Sequence, residues 1–101
     1  MGRRASEVDA TREVDRLCVA LCALETPEEA RSLLSDICSP HELVALAQRL
    51  EVATMLRAGS SYMDVSRATG ASSTTVSRVS KCLNGPAGGY RLVLSRMEGE
   101  K

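Results

Sequence analysis

The chain has 101 residues, with 13 basic and 13 acidic side chains, 44% apolar residues, two Tyr, and neither Phe nor Trp. That length allows one domain, and a domain this small buries only about two thirds of the surface its unfolded chain exposes, so a core of Leu, Val and Ala suits small helices and gains from a partner chain. Zero net charge excludes a uniformly basic tail or a polybasic membrane binder, and 26% charged residues marks a globular composition.

Val14, Leu17, Cys18, Leu21 and Leu24 recur at three- and four-residue spacing, which predicts a helix over residues 6–24. Its apolar run Leu17 to Leu24 stops at Glu25, far short of the roughly 20 residues that span a bilayer, and no membrane association is expected. Arg3 and Arg4 are followed by Glu7 and Asp9 where a secretory signal would carry an apolar stretch. The expected location is therefore the cytoplasm. Cys18, Cys22, Cys38 and Cys82 form no Cys-x-x-Cys pair and are expected to serve as small core residues.

Thr26-Pro27-Glu28-Glu29 supplies an N-cap hydroxyl, Pro at the first helical position and Glu at the third, opening a second helix that runs to about Cys38. Ser39-Pro40-His41-Glu42 repeats the device and opens a longer helix with the stripe Leu43, Leu46, Ala47, Leu50, Ala53 and Leu56. Gly59 is its stop, because glycine accepts the left-handed conformation at a helix end. Leu43, Leu46, Leu50 and Ala53, together with the first helix, are the expected dimer surface, and residues 6–58 form the dimerisation part of a single domain, 1–101.

Beyond Gly59 the charge changes sign. Residues 1–58 hold seven Arg against ten acids, a net of −3, whereas residues 59–101 hold six basic groups against three acids, a net of +3. Between Val65 and Met97 there is no acid at all, so a neutral chain can still present a positive face to a polyanion. Within that region residues 61–83 fit a helix-turn-helix: Val65 faces inward beside small Ser66, Gly70 sits in the turn, and Val76, Val79 and Leu83 face inward on the second helix. Ser72, Ser73, Thr74, Ser77, Arg78 and Lys81 are left for the outer face. Short hydroxyl side chains with Arg and Lys suit a helix pressed into the major groove of double-stranded DNA. The loop signal Asn84-Gly85-Pro86-Ala87-Gly88-Gly89 then precedes a last helix over about 88–97, with Glu98 to Lys101 expected to fray.

From Leu43 to Leu94, the segments Ala45-Leu46-Ala47-Gln48-Arg49-Leu50, Met55-Leu56-Arg57-Ala58-Gly59, Thr69-Gly70-Ala71-Ser72, Val76-Ser77-Arg78 and Gly89-Tyr90-Arg91-Leu92-Val93-Leu94 resemble the YerC/YecD group of Trp-repressor-like proteins. The resemblance implies an all-α fold of about six helices in an intertwined homodimer, with two helix-turn-helix heads on a shared core. It also implies a vestigial ligand pocket at Ser39, Arg49, Arg78, Val79 and Cys82. Arg49 and Arg78 match two arginines that flank tryptophan in the repressors, and Ser39 matches a threonine near the ligand's amino group. Val79 stands where the repressors have Gly, and Cys82 where they have Ser. A branched side chain at 79 would project into the indole's space, so no tryptophan corepressor is expected.

The expectation is thus a transcriptional regulator that binds double-stranded DNA as a homodimer, with two alternatives: a dimeric helical module that binds protein, and a repressor that senses a small molecule. An enzyme is not expected. The single His41 follows a helix-starting Pro with no nucleophile beside it in sequence, and Gly85 to Gly89 matches neither nucleotide-binding spacing. A metal site would need Cys18 and Cys22 together with His41 or Cys38, and neither metal nor cofactor is expected.

Overall fold

In the computed structural model, which describes residues 3–99, six α-helices follow one another: α1 Arg3–Cys22, α2 Pro27–Ile37, α3 Pro40–Arg57, α4 Tyr62–Thr69, α5 Ser73–Leu83 and α6 Gly89–Gly99. Among the described residues there is no strand, and no helix is long and apolar enough to cross a membrane. Two compact units, Met1–Ser39 and Pro40–Lys101, divide the chain. Their boundary falls inside the segment read from the sequence as dimerisation helices.

The helix boundaries follow the capping chemistry. Thr26 caps α2, its hydroxyl accepting the Glu29 amide at 3.0 Å, while the Glu29 carboxylate accepts the Glu25 amide at 2.8 Å. The box therefore closes one residue further out than its usual N-cap partner. α3 opens at Pro40 and ends before Gly59, whose φ of 96° lets the Ser60 amide turn back to the Met55 carbonyl at 3.0 Å. α6 continues through Glu98, which pairs with Arg57 of α3 at 3.1 Å, so the expected fraying does not begin there. Residues 100–101 lie outside the described residues.

Among the described residues the buried apolar ones all belong to the C-terminal unit: Val52 and Ala53 of α3, Val65 of α4, Ala71 in the turn, Val76, Val79 and Leu83 of α5, and Leu94 of α6. Ala53 accordingly leaves the expected dimer stripe and joins the core, because α4 and α5 pack on the side of α3 that carries residues 52 and 53. Leu46 and Leu50 of the same stripe stay exposed. In the N-terminal unit Val14, Leu17, Val19, Leu21 and Ile37 are exposed, and no described residue of α1 or α2 is buried. The cysteines correct the sequence reading: Cys18, Cys22 and Cys82 are exposed and Cys38 is only half-buried. The reason is that α1 buries none of its described faces within the chain, and Cys82 lies on the outward side of α5.

Candidate nucleic-acid interface

The helix-turn-helix is built by short hydrogen bonds around a few valines. Ser61 caps α4 by accepting the Asp64 amide at 3.1 Å, and Ser72 caps α5 by accepting the Thr75 amide at 3.1 Å. Between them Gly70 takes φ 79°, which lets the chain reverse directly after α4. Three side chains fasten this turn. The Ser66 hydroxyl donates to the Ala71 carbonyl at 2.6 Å, the Thr69 hydroxyl accepts the Ala71 amide at 3.1 Å, and the Gln48 amide of α3 donates to the Thr69 carbonyl at 3.2 Å. Small Ser66 is required beside the turn because it reaches backbone that a longer side chain would push away.

Val65, Val76 and Val79 are buried against Val52, Ala53 and Leu94, which fixes the rotation of α5. With 76, 79 and 83 inward, residues 73, 77 and 81 form one outward row and residues 74 and 78 the next. The structure brings these together: Ser73, Thr74, Ser77, Arg78 and Lys81 line one open cleft of about 680 Å³ with Tyr62. Ser72, expected on the same face, is exposed but does not line the cleft, since its hydroxyl is spent on the cap and on Thr75 Oγ1 at 3.2 Å. Tyr62 is an addition that periodicity did not single out. It sits in the first turn of α4, half exposed at 52%, and is one of only two aromatic side chains in the chain.

Along the adjoining flank of α5, Arg49, Arg78, Val79 and Cys82 do converge, joined by Thr75 and Tyr90, around a space of about 260 Å³, with Arg78 shared between this space and the cleft. Ser39 belongs to the N-terminal unit. Val79 is both part of the core and part of this lining, with 3% of its surface accessible. Tyr90, part of the Gly89-to-Leu94 motif, packs against the core. Burial first, and the neighbouring Cys82 second, push its hydroxyl above the ordinary tyrosine value, with the Arg49 guanidinium working in the opposite direction. Among the described residues no three metal-ligating side chains gather.

A model of the Trp repressor protein family matches residues 12–98. The chain belongs to that family. Within the Trp repressor family it is 41% identical over 87 residues to the uncharacterized protein YerC of Bacillus subtilis (strain 168), covering 86% of this chain and 84% of that protein. A TrpR-like protein from Eubacterium eligens ATCC 27750 superposes with a TM-score of 0.79 at 39% identity, covering 87% of this chain and 91% of the other. A candidate Trp repressor from Staphylococcus aureus gives a TM-score of 0.80 at 36% identity, over 86% and 87% of the two chains. The all-α, Trp-repressor-like fold expected from the sequence is therefore the fold of this chain, and its family is one of helix-turn-helix regulators.

Proposed function

We propose that the protein is a transcriptional regulator that binds specific double-stranded DNA as a homodimer, with α5 as the reading helix. The observation that carries this is the outer face of α5, where short hydroxyl side chains and two cations line one cleft and no acid lies among them. Arg78 and Lys81 supply attraction to phosphates, while Ser73, Thr74 and Ser77 are short enough to let the helix backbone approach base edges. Ser72 serves the cap, and Tyr62 reaches the backbone from the edge of α4.

The dimer follows from what a single chain leaves uncovered. A pair of helices with no fully buried side chain has little to hold it helical in water, and among the described residues α1 and α2 are in that position, with Leu33 and Leu34 only half-buried. In the C-terminal unit Leu50, Cys82, Ala87, Gly89, Tyr90 and Val93 line an almost wholly apolar groove of about 470 Å³. A second copy supplies both faces at once. The small-molecule pocket differs from a tryptophan repressor's: Val79, which stands where those repressors have Gly, adds a branched side chain to its wall while packing into the core. DNA binding then needs no tryptophan.

Selection from a random duplex library tests the reading. Enrichment of one two-fold symmetric sequence, bound with an affinity that falls steeply with salt, is the expected result. No enrichment, with salt-insensitive capture of a protein partner instead, refutes it in favour of a protein-binding module.

A further inference from the structure

We propose that Arg91, on the C-terminal helix α6, is the positioning residue of the reading helix: its guanidinium clasps the far end of α5 and holds the angle at which that helix meets DNA. The proposal rests on the DNA-binding reading above. Arg91 Nη1 donates to the Leu83 carbonyl at 2.6 Å and to the Gly85 carbonyl at 2.9 Å. The last carbonyls of a helix have no partner within it, and a cation placed there also meets the negative end of the helix dipole. One guanidinium thus closes the last turn of α5 and the first residues of the following loop together.

The loop is shaped around this clasp. Gly88 has φ 71°, and a Cβ built on it would lie 3.2 Å from Arg91 Nη2, while a Cβ on Gly85 would lie 3.0 Å from the Lys81 carbonyl. Within the glycine-rich stretch, a bare loop signal in the sequence, Gly88 leaves room for the guanidinium and Gly85 offers it a carbonyl while lying close on the last turn of α5. The other end of α6 is held as well, through Glu98 and Arg57 of α3 at 3.1 Å, and between the two ties Leu94 is buried in the core. So α6 is a brace running from α3 to the end of α5. Arg91 does not line the reading cleft, but Lys81, which does, lies only two residues before the clasped Leu83. Loosening the clasp lets α5 tilt, and the short side chains of Ser73, Thr74 and Ser77 lose their fit to base edges before the longer Arg78 and Lys81 lose their phosphates.

The test uses the full-length protein and two substitutions. Arg91→Lys keeps the charge but replaces the planar fork of donors with a single ammonium, and Gly88→Ala crowds the guanidinium without removing it while also straining the backbone at φ 71°, so urea denaturation fixes the folded fraction of each variant and affinities are compared per folded protein. Affinity is measured on the selected duplex and on a scrambled one across a salt series, with amide exchange followed at residues 82–85. The expected result for both variants is a loss of roughly tenfold on the selected duplex, the size of one charge-assisted hydrogen bond, with scrambled-duplex affinity and both salt slopes unchanged and faster exchange at 82–85. A salt slope shallower by about 0.9 per lost phosphate contact would make Arg91 a DNA contact and overturn the proposal. Equal losses on both duplexes, tracking the unfolded fraction, would reduce it to a structural residue and also overturn it. If the wild type binds no duplex, the DNA reading itself fails and the proposal falls with it, a result distinct from variants that match a binding wild type.

Discussion

Replacing Lys81 by Ala removes one cation per subunit from the outer face of α5 and nothing else that holds the fold. Lys81 is exposed and one row apart from Arg78 in the same cleft. A surface substitution of this kind changes stability by no more than about 0.5 kcal/mol, so the folded fraction stays constant. On DNA, each phosphate contact contributes about 0.9 to the slope of log affinity against log salt. A dimer loses two contacts, so the slope becomes shallower by about 1.8, and across a rise from 50 to 200 mM salt the gap between wild type and variant closes by about twelvefold. Fluorescence anisotropy with labelled duplexes measures this directly, and the change is the same for any sequence because phosphates carry none. Thr74→Ala is the complementary perturbation: it removes no charge, leaves the slope intact and changes which base is preferred, by on the order of 1 kcal/mol at the affected position. An unchanged slope for Lys81→Ala, with unchanged affinity and preference for Thr74→Ala, would show that α5 does not read DNA.

Further outcomes follow from the same geometry. The melting temperature rises with protein concentration, as mass action requires of a dimer in equilibrium with unfolded chains; a constant melting temperature with a monomeric sedimentation mass would defeat the dimer. Calorimetry with L-tryptophan, alone and with duplex, gives no saturable heat at micromolar affinity; operator binding that appears only with tryptophan would show that Val79 turns aside from the pocket. Gly70→Ala, which forces a Cβ onto φ 79°, lowers stability by about 1–2 kcal/mol, and Ser72→Ala, by removing the cap of α5, by about 1 kcal/mol, both read by urea denaturation. In a Tyr62→Phe protein the remaining phenol, Tyr90, ionises above the ordinary tyrosine value of about 10. Because the folded state holds that proton more tightly, the contribution to stability is complete below the unfolded value and is lost as pH rises through the folded one. Ultraviolet titration locates the midpoint, and a midpoint at or below the ordinary value would contradict the burial of the hydroxyl.

The local signals in this chain are strong because they act over three or four residues. Thr26, Ser61 and Ser72 cap helices through amides three positions on, Gly59 and Gly70 take the positive φ that ends α3 and α4, and the 76, 79, 83 spacing turns the outer row of α5 toward solvent. With the apolar spacing of α1 and the glycine-rich loop before α6, such local signals determine six helices, the place of the helix-turn-helix and most of its outward face, although the caps at Ser61 and Ser72 emerge only in the folded chain. Tertiary packing decided the rest. Ala53 was indistinguishable from Leu50 in the stripe along α3, and only the docking of α4 and α5 put one in the core and left the other exposed. Likewise an apolar face read from periodicity says nothing about what covers it: α1 carries one, yet its cysteines and leucines remain at the surface of the single chain. The carbonyls that Ser66 and Arg91 reach lie across a turn or a loop, and the neighbours of Tyr62 and Tyr90 come from other helices. Spacing along one helix reports which side a residue faces, and only the packed chain reports what it meets there.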